Sequence, residues 1–152
     1  MAMLNKKSGL LGISGLTQDV RDILHFIQTN QPQDSPSCSD SGSYSNYQRA
    51  VLSIDMFCHR AAREMLGLTA SLPSPLDAIV FTGGIGEKSA LIRSKILSHM
   101  KSLGVIRVNE SLNLQNSFQI TENQKDCLSV FVIPTNEELQ IAIETSELIN
   151  RT

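Results

Sequence analysis

The chain has 152 residues and a formal net charge of −2, with 13 basic and 15 acidic residues spread along the sequence. This length allows one domain with a substantial buried core. The sequence has no stripe of basic residues, which argues against a nucleic-acid partner. It also has no run of like charges that would form a charged tail.

Cysteine usage and hydropathy favour a cytoplasmic protein. Cys38, Cys58 and Cys127 are an odd number of cysteines without CxxC spacing. That pattern argues against a disulfide framework or a structural zinc site and is compatible with a reducing compartment. No apolar run reaches the length of about 18 residues that a membrane helix needs, so we expect no membrane partner.

The first predicted helix is followed by a long polar segment. Residues 16–30 place apolar side chains on one helical face, with Thr17 as the predicted cap and Asp19 at the positive helix end. Residues 31–46 are rich in Ser, Pro and Asp and have almost nothing to bury. We expect this segment to be an exposed or disordered loop.

A second helix and a strand follow. Residues 47–68 show strong helical periodicity, and Arg60 with Glu64 forms an i,i+4 pair on another face. Residues 77–82 are β-rich and apolar at consecutive positions. This pattern predicts a short strand covered on both sides.

Alternating elements continue to the end of the chain. Residues 88–103 read as a helix with an inner side formed by Leu91, Ile92, Ile96 and Met100. Short strands are predicted at 105–108 and 117–120, with a turn region between them at 109–116.

The last two elements complete a layered pattern. Residues 128–133 predict a buried strand that Pro134 ends, and residues 135–149 predict a helix whose start, Thr135 to Glu138, resembles a capping box. The order of helices and strands predicts an α/β domain.

Three glycines, Gly83, Gly84 and Gly86, lie between the predicted strand and the helix that follows it. Such a junction presents backbone N–H groups and the positive helix end to a phosphate. GGIG matches neither the GxGxxG dinucleotide motif nor the P-loop. A tight turn that needs positive φ explains the glycines equally well, so both interpretations stay open on the pattern alone.

Two further sites have side chains that suit a nucleotide or a metal ion. Arg21 offers a planar face and a donor fork to a nucleotide, although a solvated helix start explains it too. Glu137 and Glu138 offer oxygen ligands for Mg²⁺, directly or through water. Their alternative role is to stabilise the first turn of a helix.

Three segments together carry a family resemblance: LNKKSGLLGISGLTQDVRDI (4–23), DAIVFTGGIGEKSALIR (77–93) and VIPTNEEL (132–139). In identity, order and approximate spacing they resemble the carboxy-terminal part of the acetate kinase family. The resemblance covers nearly the whole chain and is weakest at 31–46.

The resemblance implies an actin-like ATPase (ribonuclease H-like) domain over residues 1–152, one half of the two-domain acetate/sugar kinase–Hsp70–actin fold. It implies reversible, Mg²⁺-dependent transfer of the γ-phosphoryl of ATP to acetate, giving ADP and acetyl phosphate. The implied partners are an adenine nucleotide, a short-chain carboxylate and a second copy of the protein in a homodimer.

The resemblance also assigns residues. Asp19, Val20 and Arg21 would border the ATP site. The nucleotide loop would be formed by Gly84, Ile85, Gly86, Glu87 and Lys88. Glu137 would support the essential Mg²⁺. The family usually has Asn where this chain has Lys88; the lysine either reaches a phosphate or points to water, and the hydrogen bonding of this loop to the nucleotide stays open.

Family members are much longer, and the resemblance places their catalytic aspartate, transition-state histidine and substrate arginine in the amino-terminal part. We therefore expect a nucleotide-binding portion without catalytic residues of its own. The alternatives are an inactive ATP/ADP-binding module and a purely structural α/β domain. Because this fold places its nucleotide between two domains, we also expect exposed apolar surface and self-association.

Overall fold

The computed structural model describes residues 7–31, 45–73, 75–104, 106–122 and 127–150. The chain divides into two compact units. The first unit comprises residues 1–71 and 95–100, and the second comprises residues 72–94 and 101–152. Each unit has a buried core of its own and is described by itself.

The first unit is helical. Among its described residues, the complete helices are α1 (Leu10–Ser14), α2 (Val20–Thr29) and α3 (Asn46–Thr69), and α3 packs against both others. Apolar side chains recur at helical spacing, so one face of each longer helix is buried. The core of the unit contains Val20, Ile23, Ala50, Ile54, Cys58, Ala62, Ile96, Leu97 and Met100.

The junction between α1 and the following turn requires a glycine. Gly15 has φ 70°, the left-handed conformation that suits a helix C-terminus. A Cβ at this position would lie 2.9 Å from the guanidinium of Arg49, and Arg49 Nε donates to the carbonyl of Ile13 at 2.9 Å. The arginine therefore closes the end of α1 in the space that the missing side chain leaves.

Helix α2 begins later than predicted, because Asp19 and not Thr17 is its N-cap. The Asp19 carboxylate accepts from the backbone N–H of Arg21 at 2.8 Å. Thr17 Oγ1 instead accepts from the backbone N–H of Asp19 at 3.2 Å. A carboxylate at the N-cap also gains from the positive helix end, which favours the later start.

Helix α3 confirms the predicted helix at 47–68 and adds a capping box. Ser45 Oγ accepts from the backbone N–H of Gln48, and the Gln48 side chain accepts from the backbone N–H of Ser45. The predicted ion pair between Arg60 and Glu64 is wrong: Glu64 pairs with Arg63 at 2.7 Å. The predicted loop at 31–46 lies mostly outside the described residues.

The second unit is α/β. It contains β1 (Ala78–Phe81), α4 (Gly83–Lys88), the start of α5 (Ala90–Ser98), a 3₁₀ turn (Lys101–Leu103), α6 (Glu110–Leu114), β2 (Ser129–Val132) and α7 (Glu137–Asn150). The strands β1 and β2 are parallel, with Ala78 opposite Ser129 and Phe81 opposite Val132. The buried side chains among the described residues of this unit are Ile79, Phe81, Ile92, Arg93, Asn113, Ile120, Thr121, Val130 and Val132.

The short strands predicted on either side of residues 109–116 occur as single antiparallel bridges. Val108 pairs with Thr121, and Gln119 pairs with Phe131 of β2. The predicted strand covered on both sides is confirmed as a strand but not in its burial, since Val80 of β1 is 48% exposed. Only one face of the β1–β2 pair therefore carries the core of this unit.

Two predicted segments differ in detail from the structure. The helix expected at 88–103 is interrupted at Ser89, which is extended with φ −118° and ψ 93°. Leu91, placed on its inner side, is 48% exposed. The turn expected at 109–116 contains α6, whose N-cap Asn109 accepts from the backbone N–H of Leu112 at 3.2 Å.

Along the described ranges, the helices are either too short or too polar to cross a lipid bilayer.

The buried thiol of Cys58 should make stability depend on alkaline pH. Burial raises its pKa to about 11. The thiol of the unfolded chain ionises at lower pH, so the free energy of unfolding should fall as pH rises from 9 to 11. The expected loss is about 2 kcal/mol. Urea unfolding of wild type and Cys58→Ala across this range measures it, and equal slopes in both proteins would contradict the prediction.

Candidate functional site

The carboxyl ends of β1 and β2 lie side by side. Phe81 pairs with Val132 in the parallel register, and the N–H of Ile133 donates to the carbonyl of Phe81 at 2.9 Å. Ligands of parallel α/β sheets bind outside this edge of the strands. Residues 83–88, here called the glycine segment, follow β1 at this edge, and the segment that leads to Glu137 follows β2.

The three glycines have different structural roles. Gly83 has φ 71°, so the predicted positive-φ turn is confirmed at this residue. Gly84 is exposed, and a Cβ there would meet nothing within 4 Å. A Cβ on Gly86 would lie 3.5 Å from Phe81, in ordinary contact with the strand. Of the two predicted nucleotide-binding glycines, only Gly84 faces open space.

The glycine segment forms the short helix α4 and not an irregular loop. Its N-cap Thr82 makes no side-chain capping bond, and the N–H of Gly83 donates to Glu87 Oε1 at 2.8 Å. Among the described residues, the N–H groups of Gly84 and Ile85 have no hydrogen-bond acceptor. Two backbone donors at the positive end of a helix are therefore available to an anion.

Glu87 connects the two segments at the strand ends. Its Oε1 accepts from Gly83 N at 2.8 Å, from Thr135 N at 2.9 Å and from Thr135 Oγ1 at 3.1 Å. The backbone hydrogen bond from Thr135 is the largest cause that lowers the pKa of this carboxyl, with partial burial acting in the opposite direction. The carboxylate is thus ionised and engaged with the protein.

Arg93 is fully buried and contacts the glycine segment. Its Nη1 donates to the carbonyls of Gly86 and Glu87, both at 2.8 Å. Its other donors reach Asn113 Oδ1 at 2.7 Å, the Asn113 carbonyl at 2.6 Å and Asn116 Oδ1 at 2.7 Å. The guanidinium therefore joins the carboxyl end of α4 to the end of α6.

These five acceptors are all carbonyl or amide oxygens, so no carboxylate among them balances the charge of Arg93. Desolvation lowers the pKa of the guanidinium, although an arginine stays protonated in a protein. Asn113 is also fully buried, and its amide nitrogen donates to the Ala90 carbonyl and to Ser94 Oγ. The carbonyls at the negative end of α4 stabilise the buried cation.

Glu137 and Glu138 lie exposed in the first turn of α7. The predicted capping box from Thr135 to Glu138 is wrong: Thr135 binds Glu87, and Asn136 caps the helix with one bond, its Oδ1 accepting from the N–H of Leu139 at 3.0 Å. Within the described ranges, no three His, Cys, Asp or Glu side chains are close enough to form a metal site. A single exposed carboxylate fits Mg²⁺ only where phosphates and water supply the other ligands.

Asp19, Val20 and Arg21 belong to the first unit. The Asp19 carboxylate accepts from Arg21 Nε at 3.1 Å and from Nη2 at 2.6 Å, and this pairing lowers its pKa to about 2. The Arg21 side chain is 83% exposed. Val20 is buried in the core of the unit, so its backbone is the part that remains for a ligand.

A separate cavity of about 580 Å³ lies in the first unit. Apolar and basic side chains line it, among them Leu10, Ile13, Met56, His59, Arg60 and His99. The rings of His59 and His99 meet edge to face with centroids 5.3 Å apart. This cavity contains none of the residues predicted to bind nucleotide.

Sequence reasoning missed Arg93 and its partners Asn113 and Asn116. A signal was present, because Arg93 shares the i, i+3, i+4, i+7 stripe with Ile96, Leu97 and Met100. A basic residue on an apolar stripe predicts either a buried hydrogen-bond network or a snorkelling side chain.

Comparison with known proteins decides the family. The profile of the acetokinase family matches residues 1–143. The chain belongs to the acetokinase family. Its strands and helices follow the α/β fold of the acetate/sugar kinase–Hsp70–actin group, as in the solved acetate kinase of Entamoeba histolytica. That structure aligns with a TM-score of 0.76 and 33% identity over 98% of this chain and 35% of its own length.

Relatives within the acetokinase family include enzymes for two acids. The acetate kinase of Buchnera aphidicola is 41% identical over 98% of this chain and 33% of its own length. The propionate kinase of Escherichia coli O6:H1 is 40% identical over 96% of this chain and 33% of its own length. The chain thus spans about a third of the curated relatives that it matches.

Replacing Arg93 should strongly destabilise the second unit. Arg93→Met removes five hydrogen bonds, two of them buried, and we expect the free energy of unfolding to fall by about 3–5 kcal/mol. Arg93→Lys keeps the charge with fewer donors and should lose less. Urea unfolding followed by circular dichroism measures both variants.

Lys95→Met is the matched control on the same helix. Lys95 forms a partly exposed ion pair with Asp55 at 2.6 Å, so its loss should cost less than about 1 kcal/mol. Equal destabilisation by Arg93→Met and Lys95→Met would contradict the role of Arg93.

The Asp19–Arg21 pair gives a prediction about pH. In Arg21→Ala the pKa of Asp19 should rise above about 2 but stay below its ordinary value, because the backbone N–H of residue 21 still donates to the carboxylate. The stabilisation from this carboxylate is present at neutral pH and is lost as pH falls through its folded-state pKa. Carbon-detected NMR titration measures the shift, and an unchanged pKa would contradict the pairing.

Proposed function

We propose that this chain is the nucleotide-binding part of a short-chain carboxylate kinase. The proposed reaction is reversible transfer of the γ-phosphoryl group of ATP to acetate or a similar acid, giving ADP and an acyl phosphate. Membership of the acetokinase family supports the reaction class. The observation that carries the nucleotide site is the pair of available N–H groups at Gly84 and Ile85, beyond the end of a parallel strand.

In this proposal the phosphates of the nucleotide lie at the segment formed by Gly84, Ile85, Gly86, Glu87 and Lys88. The absence of a side chain at Gly84 lets a phosphate oxygen approach the main chain. Lys88 is exposed at the end of α4, where its ammonium group adds positive charge next to this segment.

The remaining predicted residues complete the proposal. Asp19, Val20 and Arg21 border the adenosine, with the exposed guanidinium of Arg21 available for stacking or hydrogen bonding. Glu137 supplies one carboxylate toward Mg²⁺ that the nucleotide phosphates also bind. When bound, the ion neutralises phosphate charge and helps to orient the transferred group.

Phosphoryl transfer depends mainly on positioning and charge neutralisation. The chain offers both for the nucleotide, and no residue of it is proposed to act on the acyl group. We therefore propose that the 152-residue chain binds ADP and ATP without turnover. A coupled assay for acyl phosphate, on the chain with acetate and with propionate, tests this, and turnover would contradict it.

We further propose a cytoplasmic protein that forms a homodimer in the complete enzyme. The two described cysteines are free thiols, which supports a reducing compartment. Large apolar side chains are exposed on α7, including Leu139, Ile141 and Ile143. Such a surface supports self-association.

Gly84→Val tests whether Gly84 is needed for nucleotide binding or for folding. The position has open space and needs no positive φ, so the variant should fold with nearly unchanged stability. Its side chain covers the approach to the main chain, and the affinity for Mg-ADP should fall by at least tenfold. Isothermal titration calorimetry measures the affinity, and circular dichroism checks the fold.

Gly67→Ala in α3 is the matched control, because a Cβ there also meets nothing within 4 Å. It should leave nucleotide affinity unchanged and stabilise the helix by up to about 1 kcal/mol. A folded wild-type chain that gives no heat with Mg-ADP would favour the purely structural interpretation. Unchanged affinity in Gly84→Val would remove this glycine from the site.

A further inference from the structure

We infer that Glu87 is a positioning residue that ties the glycine segment after β1 to the segment that leads into α7. This inference rests on the proposed nucleotide site and changes the role of one residue in it. Glu87 then acts through its neighbours and does not contact the nucleotide.

One oxygen atom makes the connection. Oε1 of Glu87 accepts three hydrogen bonds, from the N–H of Gly83 and from the N–H and hydroxyl of Thr135. Gly83 and Thr135 are 52 residues apart and follow two different strands. Backbone hydrogen bonding of the strands themselves extends only as far as the N–H of Ile133, so the carboxylate continues the connection beyond the end of the sheet.

Electrostatics explain why this carboxylate is compatible with an anion site. A free carboxylate beside a phosphate would repel it, since like charges at short range are unfavourable. Three donors aimed at Oε1 offset much of that charge. Glu87 also uses the N–H of Gly83, the first donor of α4, and leaves those of Gly84 and Ile85 for a ligand.

The connection also fixes the start of α7. Thr135 directly precedes Asn136, whose side chain caps the helix, and Glu137 is its first residue. Holding Thr135 against Gly83 therefore sets where the Glu137 carboxylate begins relative to the amides of Gly84 and Ile85. Binding of the phosphates and binding of Mg²⁺ become energetically coupled through Glu87.

Two measurements on the 152-residue chain test the inference. The first is amide hydrogen exchange by NMR at Gly83 and Thr135, which reports on the connection without any ligand. The second is the affinity for ADP with and without Mg²⁺ by calorimetry, whose ratio reports on the coupling. The variants are Glu87→Ala, Glu87→Gln and, as control, Glu64→Ala, which removes an exposed carboxylate of the first unit.

We expect Glu87→Ala to accelerate exchange at both amides by about tenfold, as for the loss of one hydrogen bond each. The gain in ADP affinity from Mg²⁺ should shrink by about fivefold or more. Glu87→Gln keeps an oxygen acceptor at the same position and should restore most of both quantities. Glu64→Ala should change neither.

The outcomes separate this inference from the proposed function. Unchanged exchange at Gly83 and Thr135 in Glu87→Ala would overturn the inference, whatever the nucleotide does. An equal loss of ADP affinity with and without Mg²⁺ would also overturn it, since that pattern marks a direct nucleotide contact. A wild-type chain that binds no ADP would instead refute the proposed nucleotide site, and the exchange rates would still decide whether Glu87 joins the two segments.

Discussion

The buried guanidinium of Arg93 is the constraint on which the second unit depends. Taking this charge out of water is costly, and five oxygen acceptors from α4, α6 and the turn after α6 offset that cost. Because an arginine has donors in a fixed planar fork, these acceptors must occupy fixed positions around it. The carbonyls of Gly86 and Glu87 are two of them, so the position of the glycine segment follows from the burial of one cation.

The glycine segment is thus held at both of its ends by groups of opposite charge. Arg93 binds carbonyls at the carboxyl end of α4, and the Glu87 carboxylate binds the N–H of Gly83 at the amino end. Each charge lies at the helix end whose partial charge it complements. Between them, Gly84 and Ile85 keep N–H groups without acceptors in the described chain. Preorganised anion binding requires hydrogen-bond donors that the surrounding structure holds in place. The contacts of Arg93 and Glu87 hold this segment, and the N–H groups of Gly84 and Ile85 are the available donors.

Local patterns predicted the elements of this fold better than its contacts. The strand at 77–82 and the helix at 47–68 were confirmed, because a short run of apolar residues and helical periodicity are both encoded by near neighbours. The network of Arg93 joins residues 20 or more positions apart, and Glu87 reaches Thr135 across 48 positions. Such contacts depend on how elements pack, which a single sequence pattern does not specify. The resemblance marked Glu87 as a site residue without its hydrogen-bond partners, and the assignment of the nucleotide and Mg²⁺ residues remains a prediction.

The three glycines after β1 would respond to mutagenesis in three distinct ways. Any L-residue at Gly83 would strain a backbone with φ 71°, so changes there should reduce the yield of folded protein. Gly84 would accept many side chains without harm to folding. At Gly86 a Cβ would lie 3.5 Å from Phe81, in ordinary contact, so the effect of each substitution should depend on how its side chain packs against this strand residue. Saturation mutagenesis of these three glycines would therefore read out conformation, access and packing as separate phenotypes within about one helical turn.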